Sequence, residues 1–422
     1  MLGKQQRVTG DPIAPSVSSD GGSSLTWLGE LLCPPGSGLR LELGPSPAEC
    51  HAGPWLAFPL RGRPRLLSPV KGRAATAAFT QFNDWMTQGA RYRKWAVGLS
   101  LGVGAGVLFR GHRAAVVGRP TDPRLDLLGS ILPEALGEPL VAAVMPGPGL
   151  RPNAKPVIQL MRPDGRVLAY AKVGWNGLTR ALVLNEERAL VSWAERPPRT
   201  FEVPRSLGLV PWNGLSILLV SPVPQQVLRR GSRDALPATE VVREVSEHGG
   251  VSEEPFGSAR FPQRLIEEAG RVEDDRVRTV SLATIDRVLD RMGGHMVRLG
   301  TGHGDWGPWN MNRTRDALHV WDWERTADAV PVGADVLHFC FQAAAGLRSR
   351  LPVPTAVSAA LAAAAPQLRE LGVEPEIQAS LMELYLTDVL LRLEAGRSSG
   401  VPVRDALRAG LLQLLSQRMD HG

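Results

Sequence analysis

The chain has 422 residues, more than the roughly 100–200 of a single domain, so two or three structural units are expected. Apolar residues make up 43% and charged residues 21%, which excludes a disordered chain; the net charge of +6 leaves room for an anionic partner. Cys33, Cys50 and Cys340 are few and far apart, which excludes a disulfide framework and a CxxC zinc or redox site and fits a reducing cytoplasm.

Residues 1–24 are polar and read as a flexible lead without the apolar core of a signal peptide. Residues 25–140 hold the short apolar runs WLAFPL and PRLLSPV and then the helix-like TAAFTQFNDWM, a small mixed α/β region whose role the sequence does not assign. The basic excess lies here, at Arg61, Arg63, Arg65, Lys71, Arg73, Arg91, Arg93 and Lys94. A solvated arginine-rich face is the plain reading, and weak contact with an anionic surface the functional one. No base-reading motif accompanies these charges, so nucleic acid is not an expected partner. The apolar run from Trp95 to Phe109 is shorter than the ~20 residues that span a bilayer, so a buried segment is expected and no transmembrane one. Its glycines, Gly102, Gly104 and Gly106, do not have the spacing of a dinucleotide-binding loop.

From 141 to 224 the pattern is of strands. VAAVM is followed by the Gly/Pro loop PGPGLRPN, then KPVIQLM, the turn RPDGR and VLAYAKV; two apolar runs joined by Pro-Asp-Gly predict a hairpin. The segment TRALVLNEERALVSWAER predicts a helix with Leu182, Leu184, Ala189, Leu190 and Trp193 available to one face, and LSILLVSPVP a last, strongly apolar strand. Residues 225–422 are mainly helical, as in PQRLIEEAGRV, VSLATIDRVLDRM and ALRAGLLQLLSQRM.

One strand-like interruption, LGTGHGDWGPWNMNRTRDALHVWDWE from Leu299 to Glu324, carries the chemistry. Phosphoryl transfer needs a carboxylate beside the attacking hydroxyl and oxygen ligands for a metal on the phosphates, and Asp305, Asn310 and Asp322 supply them. Gly307 and Pro308 force a tight loop between Asp305 and Asn310, and a turn at Arg313–Asp316 brings the next strand back so that Asp322 arrives from the other side. The plain alternative is that Asp305 caps a turn, Asn310 satisfies loop backbone and Asp322 is a surface acid. His303, His319 and His338 form no close ligand cluster, which argues against zinc.

The pattern HGDWGPWN followed by a strand ending in WDWE resembles the aminoglycoside phosphotransferase and choline kinase-like family. The resemblance covers about residues 141–345 by motif and implies an α+β, bilobal protein kinase-like fold. Such a fold has an antiparallel-sheet small lobe, a mainly helical large lobe and, here, an additional small α/β N-terminal region. It implies that Asp305 is the catalytic base, that Asn310 and Asp322 hold magnesium, and that His303 and Asp335 support the loop. ATP and Mg2+ are the implied cofactors. Kinases also place a strand lysine on the nucleotide phosphates and a helix glutamate against it; Lys172 fits, with Glu186 slightly ahead of Glu187 because Leu190 then lies one turn on. Gly147, Gly149 and Arg151 stand where a phosphate-covering loop is expected, although the prolines there remove N–H donors and a plain hairpin loop reads as well. Lys155 could compensate in place of Arg151, and Ser221 and Val223 stand near the position of an adenine-holding hinge.

The expected activity is transfer of the ATP γ-phosphate to a hydroxyl of a small molecule such as a sugar, an aminoglycoside-like compound or an amino alcohol. The alternative is a weak or inactive nucleotide-binding scaffold. The D-F-G and A-P-E signatures of protein kinases are missing. Trp306, Trp309 and Trp323 are able either to stack on an acceptor or to pack the core beneath the loop.

Overall fold

Apolar residues alternate with one another across short strands bounded by glycine and proline turns, and this period of two sends neighbouring side chains to opposite faces of one sheet. The computed structural model describes residues 24–44, 50–60, 63–80, 88–147, 153–223, 236–345, 351–398 and 405–418. The architecture is α+β, in two compact units: the first from residues 1–150, 154–183 and 206–222, the second from 151–153, 184–205 and 223–422.

In chain order the first unit contributes α1 (Ser24–Leu32), β1 (Leu39–Leu43), β2 (Cys50–Phe58), β3 (Leu66–Pro69), α2 (Gly72–Thr80), α3 (Gln88–Gly102) and β4 (Arg113–Gly118). It continues with α4 (Leu132–Leu136), β5 (Val141–Met145), β6 (Val157–Met161), β7 (Val167–Gly174), the start of α5 (Gly177–Glu195), β8 (Ser206–Trp212) and β9 (Leu215–Val220). All nine strands form one antiparallel sheet in the order β1-β4-β2-β3-β5-β6-β7-β9-β8. The regions expected as 25–140 and 141–224 therefore share a sheet, joined where Leu67 of β3 faces Val144 of β5.

The alternation is visible residue by residue. Trp55, Leu67, Val144 and Leu160 enter one core, while their neighbours Leu56, Leu66, Ala143 and Met161 enter another with Ala75, Phe79 and Leu101 of α2 and α3. The first core also takes Trp27 and Leu28 of α1, and Trp27 meets Trp175 edge to face at 5.1 Å. Two indoles span the same join with their N–H groups: Trp55 donates to Ala142 O at 2.6 Å and Trp212 to Arg124 O at 2.8 Å. The Pro-Asp-Gly turn closes β6 to β7, with Gly165 at φ +87° and Arg162 N donating to Arg166 O at 2.9 Å.

The run from Trp95 to Phe109 corrects the expectation of a buried segment: Leu101 is buried, but Leu99, Val103 and Leu108 are 60%, 86% and 77% exposed. A single helix and the 3-10 turns after it bury one face against α2, and so cannot bury all their apolar residues. On α5, Leu190 and Trp193 are buried as expected, whereas Leu184 is exposed and Glu186 takes an inward position.

The second unit continues α5 and adds α6 (Thr239–Glu247), β10 (Ser252–Pro255), α7 (Arg260–Gly270), α8 (Asp275–Met292) and β11 (Met296–Gly302). Then follow β12 (Met311–Arg313), β13 (Leu318–Val320), β14 (Ala327–Pro331), α9 (Ala334–Ala345), α10 (Val353–Glu370), α11 (Pro375–Ser398) and α12 (Asp405–Gln417). Asp274 caps α8, accepting from the N–H groups of Arg276 and Val277. α11 carries buried acids matched to arginines outside it: Glu383 to Arg287, Arg291 and Arg418, Asp388 to Arg264, and Glu394 to Arg408. Among the described residues no helix is long and apolar enough to cross a membrane.

Candidate active site

β11 pairs with β10 on one side and β14 on the other, and the chain leaves it into the loop 303–310. β12 and β13 then form a short hairpin, closed by Thr314 N and Ala317 O at 2.9 Å, which returns the chain to the loop: Trp321 N donates to Asn310 O at 3.0 Å. The backbone of Glu202, on the segment after α5, is tied to the same hairpin by Glu202 N to Leu318 O at 2.7 Å and Val320 N to Glu202 O at 2.9 Å.

The loop is held from beneath. The Asp335 carboxylate, in the first turn of α9, accepts from His303 N at 2.7 Å and Gly304 N at 3.0 Å. His303 is fully buried; its Nε2 donates to Trp321 O at 3.1 Å while its Nδ1 accepts from Asp305 N at 3.2 Å, so both ring nitrogens are used. Trp323 at 4.5 Å and Trp306 at 5.4 Å flank that ring. Both indoles are core, at 0% and 1% exposure, whereas Trp309 is 39% exposed. Gly304 has φ +77°, and a Cβ there would stand 2.3 Å from Arg325 O, so glycine is required by both conformation and space.

Asp305 is positioned through both carboxylate oxygens. Asn310 Nδ2 donates to Oδ2 at 2.9 Å and to the Asp305 carbonyl at 2.9 Å; His338 Nε2 stands 3.1 Å from Oδ1. Burial pushes the Asp305 carboxyl up and the Asp322 charge adds to this, but the opposing effects, led by the hydrogen bond to His338, hold it at about 2. Asp305 is thus ionised at neutral pH.

Asp322 follows β13 with φ +67°, a left-handed conformation uncommon for any residue but glycine. Its carboxylate gathers with those of Glu186 and Glu324, ligand atoms all within 4.8 Å of one another; among the described residues no other group of three such side chains does this. Glu186 is fully buried, and the neighbouring Asn185 fixes α5 to this turn by donating to Glu324 O and Thr326 O, each at 2.9 Å. These three carboxylates could hold a cation, and an all-oxygen donor set suits a hard divalent ion such as Mg2+. Arg392 donates to Gly304 O at 2.7 Å. Burial, and then the Arg392 charge, pulls the Arg325 guanidinium down, with Asp305 and Asp322 offsetting.

Within the second unit the structure thus brings together Asp305, Asn310, Asp322, His303, Asp335 and Glu186. Lys172 lies on β7 opposite Val157 and Leu218, in the first unit, and Gly147 follows β5 there with φ +88°. Gly149 and Arg151 fall outside the described residues. His338, Tyr385, Asn185 and Glu324 were not singled out as site residues by sequence reasoning. A polar residue inside the apolar run VLHFCF is the one signal that marks His338.

No protein-family model matches the sequence, and no curated protein matches it. The structure is similar to solved structures of small-molecule phosphotransferases. A putative fructosamine-3-kinase from Haemophilus somnus shows 12% identity over 68% of this chain and 95% of that one, with a TM-score of 0.42. A thermostable mutant of aminoglycoside phosphotransferase APH(4)-Ia, in ternary complex with ADP and hygromycin B, shows 14% over 69% and 97%, at 0.48. The choline kinase LicA from Streptococcus pneumoniae shows 12% over 64% and 90%, at 0.42.

Proposed function

We propose that this chain is a phosphotransferase that moves the γ-phosphate of ATP to a hydroxyl group of a small molecule, with Asp305 as the base. The observation that supports this best is the state of Asp305: ionised, with each carboxylate oxygen held by a donor from a different element, and close enough to Asp322 to feel its charge.

An aspartate held near 2 is a weak base, so its chief work is orientation. It accepts a hydrogen bond from the acceptor hydroxyl and aims the oxygen at phosphorus. As the new O–P bond forms, the hydroxyl proton passes to Asp305 and the bond from the γ-phosphorus to the bridging oxygen breaks, releasing ADP. Asn310 and Asp322 would hold the magnesium ion, with Glu186 and Glu324 adjoining; when bound, the ion neutralises charge on the phosphate oxygens. Lys172 and Gly147 are assigned to the nucleotide phosphates on the sequence pattern, together with Gly149 and Arg151. Glu186 is available to an ammonium group or to the cation, since either offsets its buried charge.

The test is to incubate the purified chain with ATP and magnesium against pooled sugars, aminoglycosides and amino alcohols, following ADP release and phosphorylated product. Transfer that disappears in Asp305→Ala is the expected result. Tight ATP binding with no turnover against any pool, in a chain that melts cooperatively, would instead make this a nucleotide-binding scaffold.

A further inference from the structure

Behind Asp305 stands a chain of side chains that the proposed chemistry has not used. His338, on α9, is buried, with Nε2 3.1 Å from Asp305 Oδ1 and Nδ1 3.3 Å from the hydroxyl of Tyr385 on α11. Tyr385 is buried too, its ring edge-on to His338 at 5.7 Å and to Phe341 at 5.8 Å, and its hydroxyl is bonded to the side chain of Gln342. Burial pushes the phenol far up, so it remains a hydroxyl, able both to donate and to accept.

These roles can be ordered. An ionised carboxylate only accepts, so the nitrogen beside Asp305 Oδ1 carries a proton. The Gln342 amide can donate to the Tyr385 oxygen, which leaves the Tyr385 hydrogen for His338 Nδ1. A neutral imidazole accepting at Nδ1 has its proton on Nε2, which is the tautomer that Asp305 needs. Each group along the row then satisfies the next, as a buried polar row must.

Taking Asp305 as the base, we infer that His338 is a positioning residue for it: Tyr385 fixes the Nε2–H tautomer of His338, and that N–H sets the rotation of the Asp305 carboxylate. Asn310 holds the other oxygen, so the two donors fix the plane of the carboxylate and with it the direction of the lone pair left for the acceptor hydroxyl. Removing the His338 donor would leave the carboxylate turning about a single remaining side-chain bond.

Two measurements test this. In the full-length chain labelled with 15N at histidine, the resonance lost in His338→Gln identifies His338; at neutral pH it is expected to report a proton on Nε2 and none on Nδ1. A proton on Nδ1 overturns the inference whatever the activity. In parallel, ADP release from Mg–ATP is followed, with water as acceptor where no alcohol is supplied. His338→Leu is expected to lower kcat by about 10–100-fold, the scale for groups that orient a reacting side chain, with KM for ATP unchanged within about twofold. His338→Gln, whose amide N–H can reach the same oxygen, is expected to recover most of that loss, which a purely structural role would not predict. Unchanged kcat in His338→Leu, with Asp305→Ala inactive, overturns the inference and leaves the functional reading standing. Activity that survives Asp305→Ala removes the base itself, and the role given to His338 falls with it.

Discussion

Asp305 carries the plainest consequences at the scale of single residues. Asp305→Ala is expected to lower kcat by about 10²–10⁴-fold, the range for a positioned acid–base group, while the far-UV circular dichroism spectrum is unchanged. Normal turnover in that variant would remove Asp305 from the chemistry. Its acidity also ties it to stability. The folded-state value of about 2 lies below the ordinary 3.8, so the group stabilises the fold above pH 3.8 and loses that contribution as the pH falls toward 2. The amount is about 2 kcal/mol, at 1.36 kcal/mol per unit. Urea titrations between pH 5 and pH 2 are expected to show wild type losing this much more stability than Asp305→Asn, and parallel curves would refute the assignment. At Gly304, alanine meets both a left-handed backbone and the Arg325 carbonyl, and a loss of about 1–3 kcal/mol or more is expected from thermal unfolding. No change in melting would mean that the loop can take another path.

At the scale of elements, α11 organises the second unit by turning acids inward. Glu383 meets Arg287, which is 18% exposed, and also Arg291 and Arg418 at 46% and 33%. Its removal strands chiefly Arg287, since the other two can swing into water. Glu383→Ala is therefore expected to cost about 2–3 kcal/mol in urea denaturation, below the roughly 3–5 of a fully buried pair, and Arg418→Ala under about 1 kcal/mol. Equal losses in the two variants would contradict this ordering. The strands and helices of residues 141–220 were legible in the sequence because their signals are local: alternation, a Pro-Asp-Gly turn and a long apolar helix face. The grouping of Asp305, Asn310 and Asp322 was legible for the same reason, these residues lying within about twenty positions. His338 and Tyr385 were not, because a lone polar residue in an apolar helix reads as core. Only the packing of α9 and α11 shows what Asp305 meets, 33 positions from His338, which is in turn 47 from Tyr385.

For the whole molecule, the least legible feature was the extent of the sheet. Nothing in the short runs around Trp55 and Leu67 says that they continue a ladder begun by Val144, since pairing between distant strands leaves no local mark. The consequence is that residues 25–140 are part of the first unit's core and not an appendage to it. A chain starting at residue 141 would expose Ile158, Leu160 and Trp175, which pack with Trp27, Trp55 and Leu67. It is expected to aggregate, as judged by size-exclusion chromatography, and a monomeric fragment with a cooperative melt would show that the smaller sheet stands alone.

The same threading governs how the protein is made. β9 must leave the ribosome before the sheet that begins at β1 is complete, and by then the segment bearing Glu202 is already out, with its backbone partners Leu318 and Val320 more than a hundred codons away. The sheet cannot close until β9 has emerged, and the Glu202 segment waits longer still for its partners, so newly synthesised chains hold unpaired strand edges for much of translation, and yield in cells should respond to chaperone supply more than to equilibrium stability.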